Sequence, residues 1–213
     1  MKKIHITVEP YTEEDLIKLE HCIMNSKQYV CNAAGEFLRL RDLTILKLAV
    51  YSGMREGEVL NLKWSDIDWD KGLAYINPYT NKERNADPIV LNNKSLSILK
   101  SWKEVFSKYY CCAYCFPSIF TFEPITSSCC RKRMLALSRE AGVGRTIWYT
   151  ANGQPVNNKR FNSARKYFAS KIMRITKDPY LTMRALRQTT LKSVTQYAYL
   201  ANEDIQKKQN EIF

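Results

Sequence analysis

The sequence predicts a mainly α-helical fold with a small antiparallel β-sheet, an α+β arrangement. Three observations carry this expectation. Segments at 13–25, 37–51, 94–108, 128–141 and 158–174 repeat apolar residues every three or four positions, the period of a half-buried helix. Between 64 and 91 the pattern shifts to short alternating stretches broken by turn residues, as strands require. No apolar run approaches the roughly 18 residues that a membrane span needs, while hydrophobic residues make up 45% of the 213, enough for a sizeable core.

Thr12 is placed to cap the first helix, with Glu13, Glu14 and Asp15 at the positive end of its dipole and Leu16, Leu19, Cys22 and Ile23 on one face. Residues 37–51 read as a buried helix that Gly53 ends. A short helix follows at about 56–63. Strands are expected at Trp64–Trp69, Leu73–Tyr79 and Asp87–Leu91, with a turn at Asp70-Lys71-Gly72 and a polar hairpin over Thr80–Asn85. Leu96, Ile98, Leu99, Trp102 and Phe106 form the apolar set of the next helix. Residues 109–130 are aromatic, rich in cysteine and without a clear period.

Seven cysteines in a chain whose start, MKKIHITVEPYTEEDL, holds no apolar leader segment suggest free thiols in a cytoplasmic protein. Cys112 and Cys115 have C-x-x-C spacing, and Cys129–Cys130 follow. Adjacent cysteines rarely share one zinc ion, so no metal and no cofactor is assigned.

The charge balance points to a polyanionic partner. Thirty-three Lys and Arg stand against 21 Asp and Glu, a net +12. The excess concentrates between Lys159 and Lys177, where seven basic residues meet no acidic one. With Phe161, Ala164, Phe168, Ile172 and Ile175 as its apolar stripe, this helix is expected to turn Lys159, Arg160, Arg165, Lys166, Lys171 and Arg174 toward DNA phosphates or the major groove.

The most informative run is Ser52–Asp68, where Arg55 follows a glycine turn between two helices and Glu58, three residues on, can brace it. A bidentate cation held in this way suits a phosphate. Gly53-Met54-Arg55-Glu56-Gly57-Glu58-Val59-Leu60-Asn61-Leu62-Lys63-Trp64-Ser65-Asp66-Ile67 resembles the Gly-Leu-Arg-x-x-Glu-x-x-x-Leu-x-Trp-x-Asp-Ile pattern of the tyrosine recombinase and phage integrase family, with Met54 in the Leu place. Leu181–Thr189 is similar to the family's Leu-Thr-Pro-His-x-Leu-Arg-His-Thr box. Val194–Leu200 is similar to its Thr-x-x-Tyr-Ala-His-Leu segment. Asn152–Val156 resembles the short hairpin ahead of the DNA-facing helix.

The resemblance implies a tyrosine recombinase catalytic-domain-like fold and a metal-independent enzyme of DNA recombination and integration from a mobile genetic element. Tyr197 takes the nucleophile's position, with Tyr199 as runner-up. Arg55, Arg187 and, in the usual histidine position, Arg184 would clamp the phosphate. Lys82 on the hairpin would serve as general acid. The implied partner is double-stranded DNA, with self-association on it as a dimer or tetramer and no membrane. Residues 1–12 would be a linker or arm and 13–213 the catalytic domain, its last helix, about 200–213, exchangeable between subunits. A type IB topoisomerase and a catalytically dead DNA-binding protein are the alternatives.

One departure stands out. Nine residues separate Arg187 from Tyr197, where the family has a much longer segment containing Leu-Gly-His. Nine helical residues span only about 15 Å. An omitted stretch is the favoured explanation. If the deletion is real, a shortfall in reach would leave delivery of Tyr197 to a neighbouring subunit as the option.

Overall fold

A computed structural model describes residues 8–76, 87–150, 152–153, 155–191, 194 and 197. The expected class is the observed one: helices surround a main hydrophobic core and a smaller buried cluster, with two small antiparallel sheets. Helix α1 (Glu13–Asn25) opens with Thr12 as the expected N-cap, and Asp15 completes a reciprocal exchange with it. Thr12 N–H donates to Asp15 at 2.7 Å and Asp15 N–H donates back to the Thr12 hydroxyl at 3.1 Å. Its buried residues are the expected Leu16, Leu19, Cys22 and Ile23.

Helix α2 (Ala33–Ser52) is the central element, packed on α1, α4 and α6. It begins four residues before the apolar pattern does, because the Asn32 side chain accepts from Gly35 N–H at 2.8 Å and caps it. It ends at Gly53, whose φ of 64° is left-handed. Helix α3 (Glu56–Leu60) follows at once.

The strands are shorter than their alternation suggests. Trp64–Asp66 forms a 3-10 turn, since Asp66 reaches back to accept from Lys63 N–H at 3.0 Å. Among the described residues of this region β1 (Ile67–Asp68), β2 (Leu73–Ala74) and β3 (Ile89–Val90) pair, antiparallel and in that order. The hairpin tip, with Lys82, lies outside the described residues.

Helix α4 (Asn93–Phe106) lays Trp102 and Phe106 against Phe37 of α2. The cysteine-rich stretch runs beside the α3–β1 connection: Trp64 N–H donates to Ala113 O and Cys115 N–H to Leu62 O. All seven cysteines are free thiols, and burial pushes the Cys115 and Cys130 thiols up. No group of His, Cys, Asp and Glu able to hold a metal occurs among the described residues.

Helix α5 (Ser127–Glu140) leads to the hairpin β4 (Thr146–Tyr149) and β5 (Pro155–Asn157), then α6 (Asn162–Thr176) and α7 (Pro179–Ala185). The buried arc of α6 differs from the expected stripe. Ser163, Ala164, Arg165, Tyr167, Ala169 and Met173 are buried, while Ile175 is 70% exposed. The helix is wedged between α2 and α7 and also meets the start of α1, so its covered sector is broader than one apolar stripe. Residues 9–11, expected in a linker or arm, dock on the entry to α6: Glu9 N–H donates to Asn158 O at 2.9 Å and Tyr11 is buried. Among the described residues no helix is long and apolar enough to cross a membrane.

Gly53 is where α6 meets the Arg55 turn. A Cβ there would lie 2.4 Å from the Phe168 ring, on a backbone conformation that L residues rarely adopt. Gly53→Ala is therefore expected to lose about 2 to 4 kcal/mol of stability, combining the left-handed penalty with overpacking. Urea denaturation measures it, and an unchanged midpoint would show that the turn relaxes freely.

Candidate active site

The site is built on two helix ends. Arg55 is the N-cap of α3, and its backbone N–H donates to Glu58 Oε2 at 2.7 Å. Its Nη1 donates to Glu58 Oε1 at 3.1 Å, so the brace expected from the three-residue spacing is present. Arg55 keeps 20% of its side-chain surface exposed, whereas Glu58 keeps 3%.

Arg187 arrives from the far end of the chain. Helix α7 closes with paired bonds from Arg187 N–H to Arg184 O (2.9 Å) and Gln188 N–H to Met183 O (3.0 Å). That is a Schellman closure, and its left-handed position, normally glycine, is Arg187 at φ 52°. A side chain there costs about 1 to 2 kcal/mol. The return is direction: the buried Arg187 side chain turns inward and its Nη2 donates to Glu58 Oε2 at 2.6 Å. Two arginines far apart in sequence thus share one buried carboxylate.

Burial works to raise the Glu58 carboxyl pKa. The Arg187 guanidinium, the Arg55 N–H and the nearby Arg165 outweigh it and hold the group below its ordinary value.

Tyr197 is buried against Ala169, Met173 and Leu186. Burial pushes its phenol up, and the charges of Arg165 and Arg55 pull it back. Tyr197 thus shares a small buried cluster with residues of α6 and of the α7 end of its own chain. Beside it is a cleft of about 240 Å³ lined by Tyr11, Glu13, Tyr167, Lys171 and Arg174.

The remaining expectations divide. Arg184 is exposed on the last turn of α7. Lys82 and Tyr199 lie outside the described residues.

The basic helix needs correction. Arg165 does not face solvent at all. It is 7% exposed, with Nη1 donating to Gly53 O at 2.5 Å and Nη2 to Leu186 O at 2.7 Å. Lys159 is paired with Asp15. Lys171 donates to Glu13 at 2.7 Å and to the Tyr167 hydroxyl at 2.8 Å. The segment lacks acids because α1 supplies them. Arg160 and Arg174 are exposed, and Lys166 is half-buried. A signal for Arg165 was present: it lies four residues after Phe161 and four before Ala169, inside the apolar stripe instead of opposite it.

Removing a partner from a buried charge pair leaves an uncompensated ion. Glu58→Gln is expected to lose about 3 to 5 kcal/mol at neutral pH. Because the folded-state pKa of Glu58 is depressed, its contribution is present above the ordinary carboxylate range and disappears as pH falls through the folded value. Denaturant titrations of both proteins should therefore diverge at pH 7 and converge in acid. A gap that persists at the lowest pH would remove the charge argument.

Comparison with known proteins agrees with this geometry. Residues 23–204 match the Phage integrase family. The integrase of Salmonella phage P22 is 30% identical over 57 residues, 27% of this chain and 15% of the phage protein. A probable integrase/recombinase protein of Methanocaldococcus jannaschii is 37% identical over 70 residues, 32% of this chain and 20% of that protein. Among solved structures, the XerA recombinase superposes with a TM-score of 0.68 at 15% identity, covering 99% of this chain and 66% of its own. The XerH site-specific recombinase in a post-cleavage complex with its palindromic difH substrate gives 0.67 at 19%, covering 95% and 52%. A lambda integrase dimer bound to a COC' core site gives 0.65 at 19%, covering 92% and 49%. The chain thus spans about half to two thirds of these solved recombinases. By the match over most of its length, and by a fold shared with recombinases, it belongs to the phage integrase family.

Proposed function

We propose that the protein cuts and rejoins double-stranded DNA through a 3′-phosphotyrosine, as a site-specific recombinase or integrase of a mobile element. It would act in the cytoplasm of a prokaryotic cell or of the element's host, self-associated on its DNA as a dimer or tetramer. The observation that carries the reading is the meeting of Arg55 and Arg187 at the Glu58 carboxylate, with Tyr197 in one buried cluster with Leu186, the residue before Arg187.

In this reading the Tyr197 oxygen attacks phosphorus in line and loses its proton. The bond to the 5′ oxygen breaks. Arg55 and Arg187 stabilise the non-bridging oxygens as charge builds on them, and exposed Arg184 adds a donor when DNA is seated. Lys82 protonates the leaving 5′ oxygen. Rejoining reverses these steps with a 5′-hydroxyl from another strand, so the phosphotyrosine conserves the bond and no nucleotide is consumed. Because Tyr197 is buried in the free chain, its segment must shift outward when DNA engages. Arg160, Arg174 and Lys166 supply backbone contacts, while Lys159, Lys171 and Arg165 hold the platform they stand on.

A nicked suicide duplex, from which the short 5′-hydroxyl fragment diffuses away, traps the adduct. The native chain should form a covalent complex that Tyr197→Phe abolishes. An adduct that survives in Tyr197→Phe but vanishes in Tyr199→Phe moves the nucleophile, and binding without any adduct overturns the enzyme reading. Exchange of strands between two duplexes, as against relaxation of one, separates recombinase from topoisomerase.

Lys82→Ala should slow cleavage about 100-fold or more. The rate should recover on a duplex whose leaving 5′ oxygen is replaced by sulfur, which departs without a proton. Equal slowing on both duplexes would deny Lys82 the acid role.

A further inference from the structure

Arg165 holds a position that burial by itself does not explain. Ala164 and Ala169 are buried beside it on α6, and a methionine would fill the space without desolvating a charge. Its guanidinium is also surrounded by its own kind. Burial and the nearby Arg55 and Arg187 lower its pKa to about 10, against the opposing pull of Glu58 and Tyr197, so it remains a cation at neutral pH. Something must favour charge here, and its two partners supply it.

Gly53 O belongs to the C-cap of α2 and Leu186 O to the C-cap of α7. Both are negative helix ends that attract a cation. Gly53 lies two residues before Arg55, and Leu186 one residue before Arg187. The planar guanidinium presents its two donors at a set spacing, so holding both carbonyls fixes how far apart the two turns can stand.

We propose that Arg165 is a positioning residue that spans the Arg55 and Arg187 turns and sets the width of the anion pocket between them, without itself contacting DNA. The sequence placed it among phosphate contacts, whereas its hydrogen bonds make it the strut behind them. Its kinetic consequence rests on the strand-cleavage reading; the geometric one does not.

The test uses the full chain with Arg165→Met and Arg165→Lys. Three quantities are read: equilibrium binding of the suicide duplex across a salt series, the rate of covalent complex formation, and the rise in melting temperature produced by inorganic phosphate. Arg165→Met should bind duplex within about threefold of the native chain and with the same salt slope, since no phosphate contact is lost. Its covalent rate should fall about 100-fold, the cost of misplacing a reacting group by an ångström. The phosphate-induced rise should also vanish. Arg165→Lys, which keeps the charge but reaches one carbonyl at a time, should recover part of both losses.

Weaker binding with a shallower salt slope and unchanged cleavage of the bound complex would make Arg165 a phosphate contact and overturn the proposal. So would native cleavage and phosphate response in Arg165→Met. If that variant fails to fold, Arg165→Lys decides, and a full native rate there removes the strut. Should the native chain form no adduct yet respond to phosphate while Arg165→Met does not, the enzyme reading falls and the positioning role stands. A native chain that neither reacts nor responds to phosphate has no anion pocket, and both fall.

Discussion

A carboxylate buried between guanidinium groups is the constraint on which the site depends. Glu58 is 3% exposed and accepts from the Arg55 backbone, the Arg55 side chain and Arg187. A lone carboxylate would not remain ionised at that depth, and two arginines facing each other would repel. Together they are stable, and each fixes the direction of the others. The arrangement is also unbalanced by design of its charges. Arg55, Arg165 and Arg187 against Glu58 leave three positive charges less one negative, a net of two, at the turn beside Tyr197.

The backbone is arranged to serve that convergence. Gly53 frees the α2 end for a left-handed turn and allows Phe168 to press against it. The α7 closure then spends another left-handed residue, this time an arginine, to direct Arg187 inward. Strain of this kind persists where surrounding contacts determine the conformation, and here the buried ion pair does so. The closure that ends a helix thus also carries the cation that meets Glu58.

The basic helix shows how one residue type serves three different ends. Lys159 and Lys171 answer the acidic first turn of α1, Arg165 answers two carbonyls, and Arg160 and Arg174 remain exposed. Asp15 joins a capping exchange to the Lys159 pair, so the first turn of α1 is tied both to its own helix and to the entry of α6. The number of lysines and arginines therefore overstates the cations available to a partner, because several are already paired within the fold.

Much was legible in the residues themselves. Thr12 and Asp15 announced the α1 cap, Gly53 the end of α2, and the Arg55–Glu58 spacing a brace within one helical turn. These are local matters, settled by residues within four positions of one another. The alternation over 64–69 overstated the first strand, because Asp66 captures a backbone N–H and tightens a 3-10 turn where a strand was expected. What only the tertiary structure decided was which acid or carbonyl each paired cation meets. Helical periodicity tells which side chains share a face, but not whether a carboxylate, a carbonyl or solvent lies opposite. That depends on how α1, α2, α6 and α7 come together, and charge pairing acts across whatever distance the packed chain leaves.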